Sequence, residues 1–249
     1  MTTTHTVIGG LVSTGRDAAA PVTLITGGAT GIGAATTRRL LAAGHRVAVN
    51  GRDRARLARF AAELGAGDAV LPVAADITDY EAVSVAVKAT AEHFGRLDHV
   101  IANAGFSTHD NLADGDPDKW REMLLVNVLG PALLVKAALP ALKESGGRIV
   151  LIGSTAGIKN TPGNTYSISR TALTALAENT RVLVTGAGVT PVAPGRVDTP
   201  FWSTHPDHTV APGPVLTVEH IADAVVGALG RPKGVDVNTV VVRPTGQLH

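Results

Sequence analysis

Short apolar runs closed by Gly, Asn or Asp alternate along the chain with longer stretches whose apolar positions recur at helical spacing. The runs predict strands over Val22–Thr26, Arg46–Asn50, Ala69–Ala74, His99–Ala102, Arg148–Gly153, Val189–Ala193 and Val237–Val242. The longer stretches predict helices over Gly31–Ala43, Arg54–Leu64, Tyr80–Phe94, Pro117–Leu142, Tyr166–Thr185 and Thr217–Leu229. Strands that are apolar throughout, alternating with helices long enough to cross a sheet, are what a parallel sheet covered on both faces requires. The expected architecture is therefore α/β, one doubly wound sheet of about seven parallel strands with helices on both faces. Pro191 is the discordant residue, because a proline inside a buried strand removes a ladder hydrogen bond. The pattern leaves two ways to absorb it, a bulge or a strand that starts only at Val192. Nothing reads as a linker, repeat or low-complexity tract. Residues 21–249 are thus expected to form a single domain behind a flexible polar lead-in of residues 1–20.

Composition changes this picture in only a few places. Hydrophobic residues make up 45% of the chain and aromatic residues 3%, so the core must be built mostly from Ala, Val and Leu. The net charge is +1, with basic and acidic residues spread along the chain, which gives no electrostatic footprint for nucleic acid. Cysteine is absent, which excludes disulfides and thiolate chemistry and fits a reducing cytoplasm as the expected compartment. The lead-in lacks a basic region followed by an apolar stretch and does not read as a signal peptide. The longest apolar segment, Met123 to Leu142, is interrupted by Asn127, Gly130, Lys136 and Pro140, so it predicts a buried helix and no membrane span. His205 and His208 with Asp207 offer no third ligand by spacing and are taken as loop residues, with no metal expected.

The first predicted strand runs directly into Thr26-Gly27-Gly28-Ala29-Thr30-Gly31-Ile32-Gly33 and then into a helical segment. Glycines at a strand-to-helix turn let the backbone approach a pyrophosphate, which then sits on the exposed amides and positive end of the helix. This motif is similar to the cofactor motif of the short-chain dehydrogenase/reductases, a Rossmann-like family, in its classical form. Asn103-Ala104-Gly105 resembles that family's Asn-Asn-Ala-Gly motif, with Ala102 in place of the first Asn. Asp76-Ile77 stands where the family contacts adenine. Pro194-Gly195-Arg196-Val197-Asp198-Thr199 looks like the segment that holds the carboxamide, and Val242 to Gln247 resembles the closing strand of one subgroup. The resemblance spans residues 22–247. It implies a nicotinamide dinucleotide bound by Gly27, Thr30, Gly31, Ile32, Gly33, Asp76, Ile77, Asn103, Ala104, Gly105, Pro194, Gly195, Val197 and Thr199.

The second predicted strand ends without the acidic residue that would accept bonds from an adenosine ribose and repel a 2′-phosphate; Gly51 stands there, followed by Arg52. A guanidinium pairs with phosphate in bidentate fashion, which favours NADP(H) over NAD(H). The alternative is a solvated Arg52 beside an Asp53 that itself reaches the ribose.

The resemblance also assigns a catalytic set of Asn127, Ser154 and Tyr166. Carbonyl reduction leaves charge on oxygen and needs both a hydrogen-bond donor and a proton, for which Ser154 and Tyr166 are suited. As a base, a phenol with an ordinary pKa of about 10 needs a cation beside it. The family places a Lys four residues after the Tyr, where it also binds the nicotinamide ribose, and this sequence has Arg170. Arg keeps the charge but is planar, longer and differently hydrated, so the exchange is not conservative. Taken one at a time, Ser154 is also an ordinary strand-end residue and Tyr166 an ordinary helix-start aromatic. The implied function is an NADP(H)-dependent oxidoreductase interconverting a ketone or aldehyde and an alcohol. Because of Arg170, a non-redox dehydratase, cyclase or isomerase, or a silent dinucleotide-binding protein, stands as the alternative. Residues 199–215 correspond to a substrate lid, with Phe106, Phe201 and Trp202 as candidate apolar walls. The partners implied are a small carbonyl or alcohol substrate and further copies of the chain in a homodimer or homotetramer, without nucleic acid or membrane.

Overall fold

A computed structural model of the chain describes residues 20–159, 161–184, 186–204 and 213–247. In chain order the elements are β1 (Val22–Thr26), α1 (Gly31–Ala42), β2 (Arg46–Gly51), α2 (Arg54–Leu64), β3 (Val70–Ala74), α3 (Tyr80–Phe94), β4 (His99–Ala102), α4 (Pro117–Leu124), α5 (Gly130–Ser145), β5 (Arg148–Ile152), α6 (Thr165–Leu183), β6 (Gly188–Pro194), α7 (Val218–Leu229) and β7 (Val240–Val242). The strands form one parallel sheet in the order β3-β2-β1-β4-β5-β6-β7.

Alternate residues of each central strand serve opposite faces, as the two-residue repeat demands. Leu24, Ala48, Val100, Ile149 and Leu151 pack with Val83, Leu134, Ala138 and Leu173 of α3, α5 and α6. Ile25, Val49, Ile101, Val150 and Val192 pack with Ala34, Leu57, Phe60, Ile221 and Val225 of α1, α2 and α7. Burying each such side chain is worth roughly 1.5–3 kcal/mol, so the doubly covered strands hold the sheet together. After β3 the chain returns to place β4 on the other side of β1. The strand order reverses there, and this opens a crevice at the carboxyl ends of β1 and β4.

Strand β6 runs through Pro191 without a bulge, in register with Leu151. Its parity explains why. Successive residues of a parallel strand turn their N–H groups to opposite neighbours. Val192 offers its carbonyl to Gly153 on the β5 side, whereas Val189 and Gly195 donate on the β7 side, to Asp236 and Val242. Pro191 therefore faces β7, and pairing with β7 begins only at Val192 opposite Val240. No ladder bond is lost. The last strand is shorter than expected because side chains take over its early pairing: Arg181 donates to the Val189 and Asn238 carbonyls, and Asp236 accepts from the Val189 amide.

The expected single helix over Pro117–Leu142 is α4 and α5 joined by a π turn, Leu125–Leu129, and it continues to Ser145. The Gly130 amide bonds back to Leu125, five residues away, just before Pro131, which has no N–H to offer Asn127. Counted through the turn, Pro117–Ser145 is the one helix among the described residues that is long and apolar enough to cross a membrane. Its Met123, Leu134, Val135, Ala138 and Leu142 are buried in this chain's own core.

At the opposite end of the sheet from the crevice, the His45 and His99 rings lie 5.7 Å apart. Burial, reinforced by the charge of His45, pushes the His99 imidazole down to about 4. Unfolded, the ring takes up its proton near pH 6.5. Stability from this source is complete above that pH and is lost as pH falls from about 6.5 to 4, by roughly 3 kcal/mol at the acid end. Urea midpoints measured across this window should fall steeply for the parent protein and less steeply for His99→Val. The same slope in both proteins contradicts this assignment.

Candidate active site

Strand β1 delivers the chain into the glycine-rich turn at the crevice. Gly27 and Gly31 adopt φ of 62° and 48°, which side chains resist. A Cβ on Gly33 would overlap the Gly27 carbonyl oxygen. Thr37, one turn into α1, donates its hydroxyl between the carbonyls of Gly28 at 3.0 Å and Gly33 at 2.9 Å. Asn103 Nδ2 donates to the carbonyls of Thr26 at 2.9 Å and Gly27 at 3.1 Å. Thr26 Oγ1 accepts from the amides of Asn103 at 3.0 Å and Ala104 at 3.1 Å. The turn is thus stitched to the tip of β4.

Asp53, Asp79, Asp116 and Asn164 cap α2, α3, α4 and α6 with their side chains, but Thr30 gives α1 no such cap. The uncapped amides of the first turn of α1, at the positive end of the helix, suit a pyrophosphate. Thr199 reaches the same place, since a Cβ on Gly31 would lie 3.5 Å from its methyl group. The segment behind Thr199 is clamped by the chain's end: Gly195 donates to the Val242 carbonyl at 2.7 Å and Arg196 to Gln247 Oε1 at 3.0 Å.

At the neighbouring strand tips, Asp76 Oδ1 accepts from the amide and hydroxyl of Thr78 at 2.9 and 2.8 Å. The Thr78 amide holds this carboxyl below its ordinary range, and its hydroxyl and the nearby Arg52 charge act in the same direction. Asn50 ties β2 to β3 by donating to the Val73 and Ala75 carbonyls, both at 3.1 Å. Asp53 is engaged as the cap of α2, accepting from the Arg56 amide at 2.9 Å, while Arg52 is exposed. The Ile77 side chain is buried in the core against Gly130, which leaves only its main chain for the crevice.

Beyond β5, Ser154 begins a single 3-10 turn and its Oγ accepts from the Ala156 amide at 3.1 Å. Ser167 Oγ donates to the Ala156 carbonyl, and Thr171 Oγ1 donates to the Gly157 carbonyl at 3.3 Å, which sews this turn to the start of α6. Tyr166 lies in the first turn of α6. One helical turn on, Arg170 is only 5% exposed. Its Nη1 donates to the Ile152 carbonyl at 3.1 Å, and its guanidinium carbon lies 4.9 Å from the centre of the Tyr166 ring. Nε of Arg170 is buried without a partner. A Cβ on Gly105 would overlap Arg170 Nη2 and crowd Asn127 Oδ1, so Gly105, Asn127 and Arg170 meet at one point. Asn127 is wholly buried on the π turn. Its Oδ1 accepts from the Phe106 amide at 3.0 Å, and its Nδ2 donates to the Phe106 carbonyl at 2.8 Å and to Ser169 Oγ at 3.1 Å. Asn127 thereby brackets the loop after β4 to α6.

Of the expected walls, Phe201 contacts Tyr166, with ring centres 5.5 Å apart, and Trp202 contacts Phe201 at the same distance. Trp202 also donates its indole N–H to the Val197 carbonyl at 2.9 Å. Phe106 is half-buried, with its main chain held by Asn127. His205, Asp207 and His208 lie outside the described residues, as does the middle of the expected lid, residues 205–212. Among the described residues no three His, Cys, Asp or Glu side chains group as a metal site. The sequence pattern does not single out Thr37, Asn50 or His109, all of which shape the site.

This sheet order, with a glycine-rich turn and uncapped helix at the switch point, defines a dinucleotide-binding α/β enzyme. The family model for short chain dehydrogenases matches residues 21–209, and the chain belongs to that family. Two relatives, each named an uncharacterized oxidoreductase, come from Staphylococcus epidermidis and Staphylococcus aureus. The first is 34% identical over 227 residues, covering 90% of this chain and 96% of its own length. The second is 35% identical over 231 residues, again covering 90% and 96%. Among solved structures, an alcohol dehydrogenase from the archaeon Thermococcus sibiricus, complexed with 5-hydroxy-NADP, superposes with a TM-score of 0.83 at 31% identity, over 91% of this chain and 97% of that one. A 3-ketoacyl-(acyl-carrier-protein) reductase from Brucella melitensis, complexed with NADH, superposes with a TM-score of 0.82 at 26% identity, over 90% and 96%. The chain is an oxidoreductase of the short-chain type.

Proposed function

We propose that the protein interconverts a ketone or aldehyde and an alcohol using NADP(H), with Tyr166 as acid and base. The observation that carries this reading is the buried Arg170 guanidinium, anchored to the Ile152 carbonyl and set 4.9 Å from the Tyr166 ring. A fixed positive charge in that place stabilises the negative charge that Tyr166 carries after giving up its proton. Ser154 donates to the carbonyl oxygen, and Asn127 holds the Gly105–Phe106 backbone in place around Arg170. When bound, the dinucleotide supplies or accepts the hydride at the substrate carbon. Thr30, Gly31, Ile32 and Gly33 receive its pyrophosphate and Thr199 lies across the crevice from them; Asp76 and the Ile77 main chain adjoin its adenine. The same reading takes the chain as a homodimer or homotetramer paired through α4, α5 and α6, where Leu124, Leu125, Leu129 and Ile168 are exposed.

Arg52 supports NADP(H), because the acidic side chain nearest to it in sequence, Asp53, is committed to capping α2. Related structures carry either nucleotide, so the choice rests on this chain's own residues. Titration by nicotinamide fluorescence is expected to show tighter binding of NADPH than of NADH. Arg52→Ala should weaken NADPH by about 10- to 100-fold, the worth of a charged hydrogen-bonded contact, and leave NADH almost unchanged. Equal affinities in the parent protein, unaltered in the variant, contradict the phosphate role.

A further inference from the structure

The chain has two Trp, two Tyr and four Phe in 249 residues, yet Tyr166, Phe201 and Trp202 gather at one place beside the acid/base. His109 completes the cluster. Its ring centre lies 5.1 Å from that of Phe201, nearly edge-on at 74°, and 5.6 Å from that of Trp202 at 31°. The buried core is built without these residues, and His109, Phe201 and Trp202 are all half-buried.

His109 reaches this position at a conformational cost. It has a φ of 55°, the one positive value of a non-glycine among the described residues, and such outliers persist where the surroundings fix them. Ser107 Oγ accepts from the His109 amide at 3.0 Å. The imidazole Nε2 lies 3.4 Å from the Phe201 carbonyl oxygen. Thr108 hydrogen-bonds Asp110, which also accepts from the Trp120 indole at 3.0 Å, so the loop after β4 is anchored on both sides of His109. The loop thus presents an aromatic ring to the segment after β6, across the mouth of the site.

We propose that this cluster is a slot for a flat aromatic ring, that the substrates are ketones or alcohols bearing an aryl group next to the reacting carbon, and that His109 is a specificity-determining residue. Offset and edge-on ring contacts favour a planar π system over a puckered alkyl ring of equal size. The inference rests on the proposed function, because it takes Tyr166 as the group that meets the carbonyl oxygen. Acetophenone and cyclohexyl methyl ketone carry six-membered rings on the carbonyl, one planar and conjugated with it and one puckered, so the change in their ratio between parent and variants isolates the ring contact from intrinsic reactivity. The parent protein is expected to reduce acetophenone with a kcat/KM at least about tenfold higher. His109→Ala and Phe201→Leu should each bring that ratio towards one, chiefly by raising the KM for acetophenone. Equal kcat/KM for the two ketones in the parent protein, or variants that slow both in proportion, overturns the aromatic slot and leaves the proposed function standing. Saturation-transfer NMR on the acetophenone ring protons separates the other failure. If neither ketone is turned over but the ring protons saturate in the parent protein and lose the effect in His109→Ala, the slot is upheld and the proposed function fails. Neither turnover nor saturation overturns the slot.

Discussion

Tyr166→Phe is expected to reduce turnover by about 10²- to 10⁴-fold, the usual contribution of a positioned acid or base. Affinity for the nucleotide should stay within a few-fold of the parent, and thermal stability should hold. The variant removes one hydroxyl and keeps the ring. Its contacts with Phe201 at 5.5 Å and with the Arg170 guanidinium at 4.9 Å are contacts of the ring face and edge, which Phe provides equally. A loss of turnover is therefore attributable to the missing proton and not to collapse of the site. Steady-state kinetics, nucleotide titration and thermal melting of the two proteins check all three parts. Turnover that survives contradicts the role of Tyr166. Turnover and nucleotide affinity lost together mean that Tyr166 organises the site and does not act on the substrate.

Arg170→Met is the second large effect. Turnover should fall by about 10²- to 10³-fold, as when one preorganised charge or donor is removed from a site of developing charge. Stability should move little or rise. The guanidinium is buried, its Nε has no partner, and its one direct hydrogen bond goes to the Ile152 carbonyl. A buried charge so incompletely satisfied contributes little to folding, and an apolar chain of similar length removes its desolvation cost. Lower activity with an undiminished melting temperature separates this role from a structural one. Arg170→Lys keeps the charge and should retain most of the turnover. A large gain with Lys would mean that the arginine suppresses hydride transfer, as the silent reading requires.

Much of this was legible in the sequence because burial on both faces writes itself plainly. Strands such as Val22–Thr26 and Arg148–Ile152 are dominated by apolar residues and buried throughout, and the helices carry their own period. The glycine turn was legible for the same local reason, since positive φ and close backbone approach leave few residues but Gly at positions 27 and 33. What escaped depends on neighbours far along the chain. Pro191 is tolerated because the parity of β6 against β5 turns its missing N–H towards β7, and β7 pairs only from Val192 onward. The π turn at Leu125–Leu129 arises from Pro131 meeting a helix that would otherwise continue. Thr37 reads as an ordinary β-branched residue until the glycine turn closes around its hydroxyl. His109 carries no local signal, because its left-handed backbone is imposed by Ser107 and by the segment after β6.

The proposed reaction passes hydride between a nicotinamide and a carbonyl carbon in this site. NADPH carrying deuterium on one face of C4 tests it most directly, with the purified protein, a panel of aryl and alkyl ketones, and mass spectrometry of the alcohol formed. One deuterium is expected on the carbinol carbon from one of the two C4 labels only, and none from solvent deuterium. An alcohol without label, or a product formed with no nicotinamide consumed, contradicts it.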